Sequence, residues 1–498
     1  TMQYHPHGDA AIGDALVKLG QKNLLIDCQG NWGDVRTGDP AAAPRYIEAR
    51  LTKFALDVLF NGNTTHWQVS YDGRKKEPIH LPAKFPLLLA QGADGIAVGL
   101  STKILPHNFN ELCQAAIHHL KGRSFKLVPD FATGGLMDAS DYQAGKRGGR
   151  VKVRARIEVA DKKTLRIREI PYGTTTQAII DSIIKANDKG KIRIKKVVDN
   201  TAKEVDIEIE LPTGVSPDVT IDALYAFTNC EVSLAPNACI IYEDKPHFFS
   251  VHDILRLNVE ETKNLLKWEL EIEKEQLEQK WHLASLEKIF IEQRIYRDIE
   301  ECETWEAVIA AIDKGMHKHV STPSRINKSA SAFSLMRDIT EDDILKLTEI
   351  KIKRISKFNS FKADEIIQGL EEKLAEVKNH LAHLIDYTIA YFERIKKTYG
   401  SDKVRRTELQ SFEAIKIKHV AANNVKLYAN LKEGFVGMGL KKDTFITDCS
   451  DIDDVIAFKK DGSMMISRIE DKKFVGKDIL YVAVWKKNED RRIYHMIY

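Results

Sequence analysis

The stretch Pro44-Arg45-Tyr46-Ile47-Glu48-Ala49-Arg50-Leu51 places an arginine directly before a tyrosine. A tyrosine hydroxyl has a pKa of about 10, so only about one molecule in a thousand carries the phenolate at neutral pH. A neighbouring guanidinium stabilises a developing oxyanion and can hold a phosphate oxygen. The pair therefore predicts a nucleophile, Tyr46, assisted by Arg45 and forming a tyrosine-phosphate ester. Most Arg-Tyr pairs are only a surface cation beside a half-buried ring, so the surrounding stretches decide between the two interpretations.

Three further stretches accompany this pair. They are Tyr4-His5-Pro6-His7-Gly8-Asp9, Asp27-Cys28-Gln29-Gly30-Asn31-Trp32-Gly33-Asp34, and Gly95-Ile96-Ala97-Val98-Gly99-Leu100 followed by Ser101-Thr102-Lys103-Ile104-Leu105-Pro106-His107-Asn108. In this order and spacing, the four stretches together closely resemble the DNA breakage-reunion subunit of bacterial type IIA topoisomerases, which is the A subunit of DNA gyrase or of topoisomerase IV. The resemblance covers essentially the whole chain.

Composition limits the class of protein. A chain of 498 residues should hold several domains. Its charged residues nearly cancel, leaving a net charge of +3, so any nucleic-acid surface must be local. Six scattered cysteines without a Cys-x-x-Cys pair argue against a zinc site or a disulfide framework and fit a reducing cytoplasm. We find no bilayer-spanning apolar run and no signal peptide, and the start at Thr1-Met2 suggests a fragment.

Periodicity and resemblance together predict a multidomain α+β fold. Residues 10–19 and 48–59 have helical patterns, which places Tyr46 just ahead of a helix N-terminus, where phosphate is favoured. Apolar residues at heptad spacing in 252–300 and 363–398 predict an antiparallel coiled coil. The resemblance implies a winged-helix breakage-reunion domain lacking its N-terminal part (1–108), a tower (109–250), coiled-coil arms (251–300 and 356–400), a dimerising tip or C-gate (301–355) and a partial β-pinwheel (401–498).

Two histidines join the predicted catalytic group. His5 and His7 have the His-x-His spacing of a metal pair, but no third ligand lies nearby in sequence, so ordinary histidines at a turn are an alternative. The resemblance implies that His7, and secondarily His5, donates hydrogen bonds to the scissile phosphate. It also maps the two positions that anchor quinolone antibacterials through a water-coordinated Mg²⁺ onto Ala10 and Asp14.

The resemblance implies DNA contacts in two further places. Ile104 matches an isoleucine that wedges between base pairs and bends DNA, with Lys103 beside it. A basic patch at the start of the tower predicts phosphate contacts without base readout, although a solvated strand face would look the same. Its members are Lys146, Arg147, Arg150, Lys152 and Arg154, with Arg156 on the same strand face.

The implied mechanism is double-strand passage through a 5′-phosphotyrosyl intermediate, dependent on ATP. The chain has neither a suitable carboxylate cluster nor a Walker motif, so we predict no metal site in this chain. The resemblance places Mg²⁺ and ATP mainly on a B subunit, in an A2B2 heterotetramer built on a homodimer of this chain. Double-stranded DNA is the implied partner, and the bacterial cytoplasm, on the chromosome, is the implied location.

The alternatives differ in class. Trp32 and the stretch from Phe435-Val436-Gly437 to Val475-Gly476-Lys477 resemble topoisomerase IV, the latter of a Bacteroidetes type, more than gyrase, which remains the second interpretation. A non-catalytic architectural DNA-binding dimer would explain the coiled coil and the basic patch, but it would give Arg45-Tyr46 no purpose. A metal-dependent nuclease would use His5 and His7.

Overall fold

The computed structural model describes residues 4, 6, 8–326, 333–351, 357–413, 415, 424–486 and 492–495. His5 and His7 lie outside the described residues. No helix in these ranges is both long and apolar enough to cross a bilayer.

The N-terminal unit is a mixed α/β layer around a large apolar core, which includes Phe54, Phe85, Leu112 and Phe131. The helix predicted over 10–19 is confirmed as the first helix. The elements are α1 (Asp9–Gly20), β1 (Ile26–Gln29), β2 (Glu48–Leu51), α2 (Lys53–Leu59), β3 (Trp67–Val69), β4 (Lys76–Pro78), α3 (Leu87–Gln91), β5 (Ala93–Ala97), β6 (Leu100–Ile104) and α4 (Phe109–Leu120).

The predicted helix over 48–59 is wrong in its first part. Residues Glu48–Leu51 form a strand antiparallel to Ile26–Gln29, and the helix begins only at Lys53. Thr52 caps that helix, because its hydroxyl oxygen accepts from the Ala55 N–H. The sequence Glu-Ala-Arg-Leu suits a helix locally, but pairing with a strand about twenty residues earlier decides its conformation.

The segment that the resemblance identifies as the tower contains two sheets. One, ordered β11-β12-β10-β9, packs with α5 and α6 around a second core, and the other contains β13-β8-β7. Buried residues alternate along two of these strands, at Val151 and Val153 in one and at Ile207 and Ile209 in the other. The elements are β7 (Leu136–Asp138), β8 (Val151–Arg154), β9 (Arg156–Asp161), β10 (Thr164–Glu169), α5 (Thr176–Asp188), β11 (Lys196–Asp199), β12 (Ile207–Glu210), α6 (Pro217–Phe227), β13 (Glu231–Leu234), β14 (Cys239–Tyr242) and β15 (Lys245–Phe248).

The arms begin at a capping box in which Ser250 and Asp253 satisfy each other's backbone N–H groups. The predicted coiled-coil seam is confirmed where Leu270 and Leu277 pack against Leu374 and Val377. A helix of the tip begins at a second capping box, formed by Thr340 and Asp343. The elements are α7 (Val251–Glu292), α8 (Trp305–His319), β16 (Val320–Ser321), β17 (Phe333–Ser334), α9 (Glu341–Thr348), α10 (Lys357–Ala382) and α11 (Leu384–Tyr399).

The returning arm is two helices rather than the one continuous helix that we predicted over 363–398. His383 separates α10 from α11 and has non-helical dihedral angles of φ −120° and ψ 48°. By contrast, α7 runs unbroken for 42 residues, or about 63 Å.

A strap at residues 400–413 leads from the arm back to the tower, although the sequence assigned it to the C-terminal domain. Its strand β18 (Glu408–Leu409) pairs in parallel with β7. The Arg405 guanidinium binds both carboxylate oxygens of Glu111, at 2.6 and 2.7 Å, and donates to two backbone carbonyls of residues 128–129. Asp130 accepts from two further backbone N–H groups of the strap.

The C-terminal strands form two sheets around a small core, in the orders β21-β19-β20-β24 and β23-β22-β25. This unit contacts the tower: Lys191 Nζ lies 2.6 Å from Asp451, and the Asn424 amide donates to the Lys189 carbonyl. The strands are β19 (Val425–Asn430), β20 (Phe435–Gly437), β21 (Thr444–Cys449), β22 (Asp454–Lys459), β23 (Met464–Arg468), β24 (Lys473–Phe474) and β25 (Ile479–Trp485).

Candidate active site and nucleic-acid interface

Arg45 and Tyr46 lie together in a single 3-10 turn, Pro44–Tyr46, on the surface. The guanidinium carbon of Arg45 lies 4.7 Å from the centre of the Tyr46 ring, and the Tyr46 side chain is 66% exposed. The cation therefore covers the ring face while the hydroxyl remains open to a ligand. We predicted a helix N-terminus directly after Tyr46, and this is wrong, because extended residues follow the turn and no helix dipole acts there.

The loop within the glycine-containing stretch 27–34 lies directly against this turn. Gly30 has a φ of +97°, and a Cβ built on it would lie 2.7 Å from the Tyr46 carbonyl oxygen and 3.3 Å from Ile47 Cα. Nearby, the Ala42 N–H donates to the Asn31 carbonyl at 3.0 Å. Only glycine allows both the backbone conformation and the close approach, so the loop fixes the position of the tyrosine backbone.

Trp32 anchors the same loop to α1. Its ring is buried, its Nε1 donates to the Gln29 carbonyl at 3.0 Å, and its own carbonyl accepts from the Gln21 amide at 2.8 Å. A Cβ on Gly20 would lie 2.6 Å from the indole ring. The indole thus fills the space that the last residue of α1 leaves free.

The far end of the loop is tied to the tower. Arg36 forms a paired interaction with Asp34, with 2.7 Å between Nη2 and Oδ2, and its Nη1 donates to the Lys203 carbonyl. Its carbonyl accepts from the Thr176 N–H at the start of α5. The hydrogen bond from Arg36 lowers the pKa of Asp34. Residues 30–36 therefore connect the Tyr46 turn to the tower.

The positions matched to the drug site lie beside this turn. Ala10 and Asp14 are both exposed on α1, and their spacing of four residues places them on one face. On the same helix, a Cβ built on Gly13 would lie 3.8 Å from Pro44 Cγ. Helix α1 thus packs against the start of the Arg45–Tyr46 turn.

The described residues contain no group of three or more His, Cys, Asp or Glu side chains placed to hold a metal ion. His5 and His7 are not among them, so their predicted roles stay predictions.

The assignment of the DNA wedge to Ile104 is wrong. Ile104 ends β6 at the base of a hairpin, is 4% exposed and belongs to the N-terminal core, so it cannot enter a base step. The apolar residues at the tip of the same hairpin are Ile96, at 92% exposure, and Val98, which is fully exposed. Sequence reasoning missed them, although their place between Gly95 and Gly99 was a signal for a protruding turn.

Lys103 lies on the edge of this hairpin. Its backbone exchanges two hydrogen bonds with Asn237, at 2.8 and 3.0 Å. Its Nζ lies 3.6 Å from Asp94 and is partly exposed. The side chain can therefore still reach a phosphate from the hairpin edge.

The basic patch separates into two groups. Arg154 does not face solvent: its Nε lies 2.6 Å from Glu231, and its guanidinium covers the rings of Phe412 and Tyr225. Its predicted contact with DNA is therefore wrong, because the charge is already paired and largely buried. Arg156 is similarly occupied by Glu169 and Glu408. The exposed members are Lys146, Arg147, Arg150 and Lys152.

Two family models match the chain. The model that describes the A subunit of DNA gyrase/topoisomerase IV matches residues 1–393. The model described as topoisomerase C-terminal domain, Bacteroidota, matches residues 426–498. Together they cover the N-terminal unit, the tower, most of the arms and the C-terminal strands.

Individual relatives agree with the family models. The A subunit of DNA topoisomerase 4 from Borreliella burgdorferi is 38% identical over 499 residues, covering 100% of this chain and 77% of that protein. The A subunit of DNA gyrase from Brachyspira hyodysenteriae is 28% identical over 82% of this chain and 49% of the relative. The corresponding gyrase subunit of Helicobacter pylori strain J99 is 30% identical over 87% and 53%. The chain thus spans about half the length of these gyrase subunits.

Proposed function

The chain belongs to the family formed by the A subunits of DNA gyrase and topoisomerase IV, and on this premise we propose that it cleaves and rejoins duplex DNA with Tyr46 as the nucleophile. The tyrosine oxygen attacks a backbone phosphorus and releases the 3′ oxygen of the neighbouring nucleotide as a hydroxyl. The product is a 5′-phosphotyrosyl ester. Because one phosphate ester replaces another, the reverse attack by the 3′-hydroxyl can reseal the strand without a further energy source.

The observation that carries this proposal is the exposed Arg45–Tyr46 pair on a turn fixed by Gly30. A phosphate that reaches the Tyr46 hydroxyl also comes within range of the Arg45 guanidinium. Charge on a pentacoordinate phosphate is greater than on the starting diester, so the cation stabilises the transition state more than bound DNA. His7 and His5 are proposed to add hydrogen bonds to the same phosphate.

DNA contacts outside the reacting phosphate are proposed on two surfaces. Ile96 and Val98, at the tip of the β5–β6 hairpin, replace Ile104 as candidates for the wedge that bends DNA. The exposed tower residues Lys146, Arg147, Arg150 and Lys152, with Lys103 on the hairpin edge, are proposed to contact phosphates of the flanking duplex.

A partner B subunit is proposed to supply ATP binding and the carboxylates for Mg²⁺, which the described part of this chain does not provide. The chain itself is proposed to form a homodimer through the tip, giving an A2B2 assembly. The tip exposes large apolar side chains that a second copy would cover. These are Trp305, Ile326, Phe333 and Met336.

Between the two enzymes of the family, we propose topoisomerase IV, acting in the bacterial cytoplasm on the chromosome. The support is a relative of that name, 38% identical over the whole chain, against 28–30% for the two gyrase subunits. The A subunit of DNA gyrase is the second candidate. The expected activity is decatenation and relaxation by passage of one duplex through another.

The test combines this chain, in its full-length form, with its B subunit on linked DNA circles, with and without ATP. We expect ATP-dependent decatenation, and denaturant trapping should leave protein on the 5′ ends. Supercoiling of relaxed circles would instead identify a gyrase. Free ends would indicate a nuclease, and intact DNA with tight binding an architectural protein, so either result would overturn the proposal.

A further inference from the structure

We infer that the β3–β4 hairpin, residues 66–81, is a second contact surface for duplex DNA, separate from the surface around Tyr46 and used by the duplex that passes through the break. The inference rests on the proposed strand passage. It deepens that function by assigning a contact to a duplex that is never cut.

The hairpin is a two-stranded ribbon with exposed faces. Trp67 pairs with Pro78 and Val69 with Lys76, and the two strands form a sheet of their own. Trp67 and Val69 lie two residues apart in β3, so they share one face, with exposures of 49% and 64%, and Tyr71 in the following turn is 72% exposed. An isolated two-stranded hairpin is marginal in water, and such an exposed apolar stripe marks a contact surface.

Three successive cations, Arg74, Lys75 and Lys76, lie at the end of the turn and the start of β4. No ion pair joins their side chains to the described residues. The nearby carboxylates have other partners: Asp72 accepts from Ser70 and from a backbone N–H, and Glu77 accepts from Gln68. The charge is therefore available to an outside anion.

The base of the hairpin is fixed to the side of the arm. The His66 ring lies 5.4 Å from that of Trp268, and Glu269 of the same helix binds Asn61 and Lys84, each at 2.7 Å. The arm helix starts at Val251, which is in contact with Gly145 beside the tower's basic loop. Trp268 is 17 residues further along, or about 26 Å at 1.5 Å per residue.

This separation assigns the hairpin to a different duplex. A duplex held by the tower loop lies at the level of the start of the arm, whereas the hairpin is attached about 26 Å further along it. A second duplex moving along the arm away from the tower loop would pass the cations of the hairpin.

Duplex DNA fits the hairpin better than a protein partner does. A two-stranded ribbon fits the major groove, and basic side chains gain affinity by releasing counterions from phosphates. Such contacts do not depend on sequence and permit sliding, which a duplex in transit requires. The apolar stripe can contact sugars without fixing a register.

The first test reverses the charge with R74E/K75E/K76E in the complete A2B2 enzyme. Decatenation should fall at least about tenfold, because three phosphate contacts become repulsive. Cleavage of a single short duplex, measured by denaturant trapping, should stay within twofold of wild type, on the order of experimental scatter. The control R74K/K75R/K76R keeps the charge and should decatenate normally. Unchanged decatenation in the charge-reversal variant, or an equal loss of single-duplex cleavage, would overturn the inference.

The second test does not depend on turnover, so it separates this inference from the proposed function. A photoreactive benzophenone amino acid replaces Tyr71, an unlabelled duplex saturates the cleavage site, and a second, labelled duplex is added with a non-hydrolysable ATP analogue. Cross-linking to the labelled duplex supports the inference even if strand passage fails. Cross-linking to the B subunit, or to the unlabelled duplex, rejects it.

Discussion

Gly30 and Tyr46 are in such close backbone contact that a Cβ on the glycine would lie 2.7 Å from the tyrosine carbonyl oxygen. The loop that carries Gly30 is held at the end of α1, where Trp32 contacts Gly20 and Gln21, and at the tower by Arg36. The position of the candidate nucleophile is therefore set by the loop, by α1 and by the tower. We expect a change in the loop to lower the rate of DNA cleavage more than it lowers the affinity for DNA.

Gly30→Ala should reduce DNA cleavage by about tenfold or more. The added methyl group must displace the Tyr46 backbone, and alanine at a φ of +97° costs about 1–2 kcal/mol. A change of about 1.36 kcal/mol in the activation free energy corresponds to a tenfold change in rate. Gly214→Ala is the matched control, since Gly214 has a φ of +89° and no described atom within 4 Å of its Cβ position. The measurement is the rate of covalent complex formation; equal rates in both variants would contradict the role of the loop.

Tyr46→Phe should abolish cleavage while folding and DNA affinity survive. The exposed ring keeps its contact with Arg45, and only the hydroxyl is lost. Denaturant trapping measures the covalent complex, and a gel-shift titration measures affinity. A protein–DNA adduct formed by this variant would identify a different nucleophile.

Ile96→Ala should weaken DNA bending and cleavage more than overall affinity, because most affinity comes from phosphate contacts. Ile104→Ala, in the core, should instead lower the free energy of unfolding by about 2–5 kcal/mol. Fluorescence transfer between DNA ends reports the bend, and chemical denaturation reports stability. A normal bend angle in Ile96→Ala would mean that the residue that bends DNA is Val98 or lies outside this hairpin.

Acidification should destabilise the N-terminal core through His107. This ring is buried, with Tyr142 Oη 3.1 Å from its Nε2, and burial lowers its pKa from 6.5 to about 4. The unfolded chain therefore takes up a proton at a higher pH than the folded chain. The free energy of unfolding is unaffected above pH 6.5. Between pH 6.5 and pH 4 it falls by about 1.4 kcal/mol per pH unit, so the total loss at pH 4 is about 3 kcal/mol.

Hydrogen exchange of α4 amides between pH 7 and pH 4.5, corrected for intrinsic rates, measures this loss. His107→Gln should flatten the dependence, and His80→Gln, on the surface, should leave it as in wild type. The prediction fails if His107→Gln and wild type lose stability equally on acidification.

Ala10→Ser should increase quinolone poisoning. Asp14 supplies one of the two anchors implied by the family, and the missing hydroxyl at Ala10 corresponds to about 1.5–3 kcal/mol, or about tenfold to a hundredfold in affinity. Ala15→Ser, exposed elsewhere on α1, is the control. The measurement is the drug concentration that gives half-maximal cleaved complex. An unchanged value in Ala10→Ser would mean that the drug is anchored by other contacts.

Elements with a long internal period were predictable from sequence. The α1 pattern and the heptad spacing of Leu270 and Leu277 within α7 each depend on neighbours along one helix, and both are confirmed. The Arg45–Tyr46 pair was also visible, because the two residues are adjacent. The residues that position it, such as Arg36, were not, because their partners lie more than a hundred residues away.

The errors share one physical cause. Glu48–Leu51 became a strand because Ile26–Gln29 pairs with it. Ile104 and Ile96 lie on one hairpin, and only its placement against the core shows which end is buried. Arg154 resembles a phosphate ligand until Glu231 and Phe412 occupy it. Contacts between distant segments decided each case, and local pattern does not encode them.

The strap at residues 400–413 has a mechanical consequence. Both ends of the arm are attached to the same part of the molecule. Helix α7 begins beside the tower loop, and the strap contacts β7 and Glu111. We therefore expect a force on the tip to be transmitted to this part of the molecule before it reaches Asn424. Because the C-terminal strands contact the tower at Lys191 and at Lys189, we expect their distance from Tyr46 to stay the same when the angle of the arm changes.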